Sequence, residues 1–600
     1  MSLFTVALPA LLFCQLQSTN CLSAPPSASL DPERKRSASA AEGIMAAGGG
    51  NETSYWFSDK ASSTPQPILE SIRSSPPHSL VKGGWEPLED HELYEVPPES
   101  ITGELPSGLR GTHFVNGSGR IRLGGMRYGH WFDGDGFIAA LSLTGDGRAF
   151  FQSKYIRTKR YLAQEKIGGG SAGRLAVRAA WTNRPGGILG NIFRLPTNPS
   201  NTAVLYYDDK LLALCEGGLP FQVDPYTLRS TGNDTGDYTF GGAVTQTFSA
   251  HYKQDPATGY VYNFGVDFAN AKMTIFKTAP PHTAGEPGKT DTAHIALGSF
   301  MPFVHDFAIT ENYVVVLFPA YGVERQWMLA LLLGWGTFGH SYEWSEDRGS
   351  RVVVLKKSDL SVAADFKTPA ISFYHVANAF EDPKNNSTIK LHIAKHANGQ
   401  REVVEKFLSS PQLEQFTHGH VPILHELDIS LSEKSILRIE PLTSPSGATK
   451  ALQGEYPTIN NAMTGKPNRY IYQACFEDES TASGHVQFFN AIQKVDLRGE
   501  SWQIYSFGPY RAPHEAYFIA REGSKAEDDG WLLVPVYNGY QHINEYCIFD
   551  AADVAKGPVS TISLPHHFPY TFHGTFVRDP KVPDELLKGK GEAALAQTVS

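Results

Sequence analysis

Residues 203–216 read AVLYYDDKLLALCE: short apolar and aromatic runs, too brief for an ordinary helix and dense enough in strand-forming side chains to be read as strand. Runs of the same kind recur at 259–266 (GYVYNFGV), 313–321 (YVVVLFPAY), 351–360 (RVVVLKKSDL), 484–497 (GHVQFFNAIQKVDL) and 530–538 (GWLLVPVYN). Between them lie turn signals such as DPYTL, DPATG, TGDG and DDG. Short hairpins repeating along a long chain predict an all-β fold, either a propeller or a pair of sandwiches. No clean sequence period emerges, so periodicity alone gives no blade number.

Composition agrees. The 600 residues are 41% hydrophobic and 12% aromatic, with 56 Gly and 39 Pro, which suits many short strands and tight turns better than helical bundles. A net charge of -10 without a basic stripe excludes an electrostatic footprint for nucleic acid. Of five cysteines, Cys14 and Cys21 fall near the N-terminus, leaving Cys215, Cys475 and Cys547, a set that reads as reduced thiols and not as a disulfide framework. The N-terminal MSLFTVALPALLFC has signal-peptide length, and the stretch after it is rich in Ser and Ala with a basic cluster. Together they predict delivery to a plastid through the secretory route, the alternative being a plain secretory signal and linker. The expected organisation is a targeting leader and disordered linker (1–50), an N-terminal arm (51–83), one catalytic folded unit (84–580) and a C-terminal tail (581–600). No obligate protein partner is evident.

Two segments depart from the strand pattern. Residues 168–196 are Gly-rich with an amphipathic middle, and 326–336 (QWMLALLLGWG) are strongly apolar; both fall short of the roughly 20 apolar residues that span a bilayer. The second reads as a buried helix or loop, or else as a surface patch making peripheral membrane contact at a tunnel mouth. GHWFDGDG at 129–136 has the look of a calcium loop but lacks the later acidic positions and runs straight into FIAALSL, so a tight hairpin turn is expected.

Among 21 histidines, four stand in apolar or aromatic strand contexts: His251 in FSAHYKQDPATG, His305 in MPFVHDFAIT, His375 in ISFYHVANAFED and His573 in FPYTFHGTF. They read as ligands of one metal ion. Four neutral imidazoles without a carboxylate suit iron, copper, nickel or zinc, leave the ion its full charge, and favour dioxygen chemistry over hydrolysis. Each ring must then donate its other N–H to an acceptor, commonly a carboxylate. Glu216 (LLALCEGGLP), Glu455 (LQGEYPTIN) and Glu515 (APHEAYF) sit among apolar neighbours where an unpaired carboxylate would be costly, and are candidates for that task. His392 with His396 lacks the Glu of an HExxH site, while His418–His420 and His566–His567 read as loops.

These contexts, with GHWFDGDG and NPSNTAVLYYDDKLLALCEGGLP, resemble the carotenoid cleavage oxygenases over nearly all of residues 108–576, the nearest flavour being the apocarotenoid oxygenases of bacterial and algal type. The resemblance implies a seven-bladed β-propeller with a dome of helices and loops over one face, and a non-haem Fe(2+) held by His251, His305, His375 and His573. It further implies that Glu216 braces His305, Glu455 braces His375 and Glu515 braces His573. By the same resemblance Thr202 points at a vacant coordination position, and Phe303 and Tyr374 line an apolar substrate tunnel. Cys215 stands where related enzymes often carry Trp, and strand alternation sets it on the face opposite Glu216. The implied function is cleavage of one conjugated double bond of a carotenoid or apocarotenoid polyene by dioxygen, giving two carbonyl products. The alternatives are a stilbene-cleaving dioxygenase and an enzyme like the retinoid isomerohydrolases, and from another class a non-enzymatic propeller that binds partners.

Overall fold

Val314 and Val316 pack into one apolar core and Val315 and Leu317, from the same strand, into another. That arrangement explains the sequence: a strand pressed between two sheets has no solvent face, so alternation gives way to a continuous apolar run. Asp135–Leu143 and Gly530–Asn538 are buried at every residue for the same reason. The computed structural model describes residues 83–88, 92–123, 126–167, 175–231, 236–396, 421–477 and 489–588. The expected leader and nearly all of the expected N-terminal arm lie outside them.

Among the described residues, seven of nine antiparallel sheets succeed one another along the chain as blades. Blade 1 contains Gly111–Arg120, Asp135–Leu143 and Ala149–Tyr155; blade 2 Ala203–Tyr207, Lys210–Leu214 and Phe221–Val223; blade 3 runs from Lys253–Gln254 to Thr290–Ala296. Blade 4 runs from Ala308–Ile309 to Val362–Thr368, blade 5 from Phe373–Asp382 to Ser435–Pro441, blade 6 from Gly454–Thr458 to Gln503–Ser506, and blade 7 from Arg511–Pro513 to Ser560–Ser563. Each neighbouring pair shares an apolar core, including blades 7 and 1, where Leu533 and Ile548 meet Phe137 and Phe151. The ring is therefore a closed β-propeller. Two strands sew it shut: Thr571–Val577 pairs with Gly111–Arg120 of blade 1, and Ile101–Gly103 pairs with Ser560–Ser563 of blade 7. At the first seam Gly117 faces Thr571, and a Cβ there would stand 2.5 Å from Tyr570 O and 2.6 Å from the Thr571 Cα. Only glycine fits so close an approach.

Excursions between blade strands form a cap. Residues 156–167 and 175–202 carry the helices Lys159–Lys166 and Gly187–Asn191, and residues 319–349, inserted between two strands of blade 4, carry Tyr321–Glu324, the helix Arg325–Leu332 and Glu343–Trp344. Phe300–Pro302 pairs with Tyr321–Glu324, and the Phe193 N–H donates to Leu332 O at 2.7 Å. The Arg178 guanidinium donates to Leu331 O in the last turn of Arg325–Leu332 and to Gly336 O beyond it, both at 2.6 Å, and Leu331 O also accepts the Gly334 N–H at 3.0 Å. Two expectations are corrected here. The 326–336 segment is no buried element: Leu331 is buried, but Trp327, Leu329, Leu333 and Trp335 are exposed. The GHWFDGDG turn is no tight hairpin either, since Arg120 and Asp135 pair across a long loop in which Trp131–Asp133 forms one 3-10 turn. Its carboxylates anchor the cap. Asp133 accepts from the Trp181 N–H and the Thr182 hydroxyl, and Asp135 pairs with Arg120 and fully buried Arg160.

Candidate metal centre

Every blade contributes a polar side chain from, or beside, a strand at the edge of its sheet, and blade 2 adds Glu216 just after its middle strand Lys210–Leu214. Thr202 precedes Ala203–Tyr207, His251 precedes Lys253–Gln254 and His305 precedes Ala308–Ile309; His375 and Glu455 lie on Phe373–Asp382 and Gly454–Thr458; Glu515 follows Arg511–Pro513, and His573 lies on Thr571–Val577. His251 and His305 thus sit on loops entering strands, contrary to the strand context read from the sequence. Seven converging edges bring together residues up to several hundred positions apart.

The four imidazoles meet through their Nε2 atoms, which lie 2.9 Å apart for His251 and His305, 3.2 Å for His305 and His375, and 3.2 Å for His375 and His573. All four ligand atoms fall within 4.8 Å of one another. Behind three rings stand the three glutamates: Glu216 Oε1 is 2.9 Å from His305 Nδ1, Glu455 Oε2 2.5 Å from His375 Nδ1, and Glu515 Oε1 2.9 Å from His573 Nδ1. Glu455 also accepts the Tyr456 N–H and Glu515 the Gly574 N–H, both at 2.9 Å, which fixes the carboxylates in turn.

This donor set fits a metal ion. Burial holds the His251 and His375 imidazoles well below their ordinary pKa, and the neighbouring histidines push the same way, so the rings stay neutral. When Nδ1 carries the proton toward its glutamate, Nε2 offers a lone pair. Three such lone pairs facing one another at about 3 Å repel unless a cation stands among them. Two nitrogens at right angles on one ion, each about 2.1 Å from it, are about 3.0 Å apart, which matches the spacing found. At Glu216 burial alone would raise the carboxyl, but His305 outweighs it and holds it below the ordinary value; reciprocally, burial lowers His305 and Glu216 lifts it above.

A cavity of about 790 Å³, largely apolar, opens on His305, His375 and His573. Thr202, Phe303 and Tyr374 line it, as do Glu216 and Glu455. The Thr202 hydroxyl donates to Asn201 Oδ1 at 3.0 Å. Phe303 stacks 6.1 Å from His305, and Tyr374 meets that imidazole edge-on at 5.3 Å. Cys215 lines the cavity too, against the alternation argument, because the strand ends at Leu214 and residues 215–218 turn, with the Gly218 N–H donating to Cys215 O. A second, more polar cavity of about 560 Å³ is lined by His251, Asp255, Glu515 and His573, so the imidazoles stand between the two.

The remaining histidines of interest do other work. His392 is buried and pairs with Glu426, His396 bonds Ser372 Oγ, and His566 bonds the Tyr94 hydroxyl. His418 and His420 lie outside the described residues. Sequence reasoning missed Trp181, Tyr342 and His396 as cavity-lining residues. No local pattern marks them, because they reach the cavity from the cap and from the end of a blade-5 strand.

Residues 86–578 match the family model described as retinal pigment epithelial membrane protein. The chain is 29% identical to the apocarotenoid-15,15'-oxygenase of Synechocystis sp., across 86% of this chain and 99% of that protein. It is 26% identical to carotenoid 9,10(9',10')-cleavage dioxygenase 1 of Arabidopsis thaliana, across 86% and 92%. Among solved structures, cobalt-substituted Synechocystis apocarotenoid oxygenase superposes with a TM-score of 0.72 at 28% identity, across 83% of this chain and 98% of that one.

Proposed function

From the premise that the chain belongs to the family of the retinal pigment epithelial membrane protein and the carotenoid cleavage oxygenases, we propose that it is an Fe(2+)-dependent dioxygenase cutting one conjugated double bond of a carotenoid or apocarotenoid. Two carbonyl products result. The observation that carries the reading is the juxtaposition of four glutamate-braced or buried imidazoles with a large apolar cavity. His251, His305, His375 and His573 would hold the Fe(2+), which would supply redox chemistry toward dioxygen. The residues around it bind and orient. Glu216, Glu455 and Glu515 fix the rings and keep Nδ1 protonated, while Thr202, beside the cluster, restricts the space open to dioxygen. Phe303 and Tyr374 press the polyene flat, and the apolar walls exclude water, so bond selection becomes a matter of position.

Peripheral membrane contact belongs to the same reading. Helices Gly187–Asn191 and Arg325–Leu332 adjoin through the Phe193–Leu332 bond and expose Leu189, Phe193, Leu195, Trp327, Leu329 and Trp335. Leu195, Met328 and Leu332 also line the cavity, placing the patch at its mouth. Among the described residues no helix is long and apolar enough to cross a bilayer. A patch of this kind suits extraction of a polyene from lipid.

The test is metal analysis with product analysis. Wild-type protein is expected to carry one iron per chain and to convert a panel of carotenoids and apocarotenals under ¹⁸O₂ into labelled carbonyl fragments; His375→Ala should lose both the iron and the conversion. Stoichiometric zinc with activity indifferent to added iron overturns the assignment of the ion. Unlabelled, uncleaved products overturn the oxygenase reading.

A further inference from the structure

Residues 83–86 form a short strap outside the blades. Gly83–Trp85 is a single 3-10 turn closed by the Glu86 N–H on Gly83 O at 3.1 Å. It is fastened at several points to the loop before the closing strand and to blade 7. The Tyr570 N–H donates to Gly84 O at 2.8 Å, His567 Nε2 donates to Glu86 O at 3.0 Å, and the Glu86 carboxylate faces His542 Nε2 at 3.6 Å. Both glycines are needed for this seat: a Cβ at Gly83 would stand 2.3 Å from the Tyr537 hydroxyl, and one at Gly84 2.4 Å from the Tyr570 ring. The strap delivers one side chain. Trp85 meets Tyr570 edge-on at 4.9 Å and Trp131 at 6.0 Å, and Trp131 packs 4.5 Å from Phe572, the neighbour of His573. Trp85, Trp131 and Phe572 all line the cavity that holds the imidazole cluster.

A conjugated polyene is a stiff rod. Which bond lies over the cluster therefore depends on what its leading end meets. Leu195, exposed at the surface, lines the cavity with Met328 and Leu332 and marks the way in, while Trp85, Trp131 and Phe572, the last adjoining His573 in sequence, line it as well. We propose that Trp85 is a specificity-determining residue: the strap holds its indole as part of the stop against which one end of the polyene rests, and so fixes which double bond is cut. The inference rests on the functional reading above.

Two variants separate a stop from mere packing. Trp85→Ala removes the wall, whereas Gly84→Ala leaves every cavity-lining atom in the chain but forces the strap off the Tyr570 ring. Binding of apocarotenals of graded length is measured anaerobically through their absorption bands, with products identified afterwards by mass spectrometry. Both variants should shift the length preference and the ratio of cleavage products by about tenfold toward longer or bulkier leading ends, the scale on which a change in pocket volume discriminates between substrates. Trp85→Phe should shift them less. Should Trp85→Ala fail to fold, Gly84→Ala and Trp85→Phe carry the comparison. Folded variants with the wild-type length ranking and product ratio overturn the role of Trp85. Wild-type protein that binds and cuts none of the polyenes refutes the functional reading, and this inference with it.

Discussion

Of the three glutamates, Glu455 lies nearest to its histidine. Burial pushes its carboxyl up to about 7, opposed by the Tyr456 N–H, while it lies 2.5 Å from His375 Nδ1. Replacing it with Gln keeps the shape and removes the charge, so Glu455→Gln should reduce metal occupancy or turnover by about 10 to 100-fold, the usual range for a residue that orients a ligand. Elemental analysis and steady-state rates decide this, and unchanged values in both would release Glu455 from that role. Residues of this kind were legible in the sequence. A Glu or His embedded in an apolar run carries a cost that demands a partner, and His305, His375 and His573 each face one of the three glutamates, while His251 has only its fellow imidazoles beside it. Trp181, Tyr342 and Trp85 were not legible as lining residues. An aromatic side chain costs nothing to bury in any core, so only the folded chain reveals which cores are hollow.

At the level of elements, Arg325–Leu332 shows why an apolar segment can be read two ways. Its composition suits a core, yet Arg178 and the Phe193 N–H tie its Leu331 and Leu332 carbonyls to the rest of the cap while Trp327 and Leu329 stay outside, and Trp335 beyond its end is 71% exposed. The variant that tests membrane contact must spare Leu331, which is buried and would report on stability instead. Replacing Trp327, Leu329 and Trp335 together with Ser should weaken liposome sedimentation by about tenfold or more, since each apolar side chain withdrawn from lipid forfeits on the order of 1.5 kcal/mol or more. The unfolding midpoint should stay within about 2 °C. Absence of liposome binding by the wild type, or unfolding of the variant, would make the segment structural. GHWFDGDG was misread for a related reason: local turn chemistry says where a chain bends, but Asp133 and Asp135 find their partners in Trp181, Thr182 and Arg160, beyond the reach of any local pattern.

The whole molecule is a ring of unequal members. Blades hold from three to six strands, and the cap is spliced into blade 4 and between blades 1 and 2, so no repeat length survives in the sequence although every blade is an antiparallel sheet. Strand character was legible from short apolar runs; ring closure was not, because it joins Gly111–Arg120 to Thr571–Val577 across most of the chain. That seam can be tested at its tightest point. Gly117→Ala should destabilise the protein by about 1–3 kcal/mol, as overpacking does, measured by denaturant unfolding. A neutral effect would mean that the seam yields without strain. The closing strand also carries His573. A chain emerging from its N-terminus presents three of the four imidazoles while the ring is still open, and the fourth arrives only with the strand that shuts it. Completion of the ion's ligand set and completion of the polypeptide's circuit are thus one event, so an ion gripped by all four rings certifies that synthesis has passed the seam and that blade 1 has found its last partner.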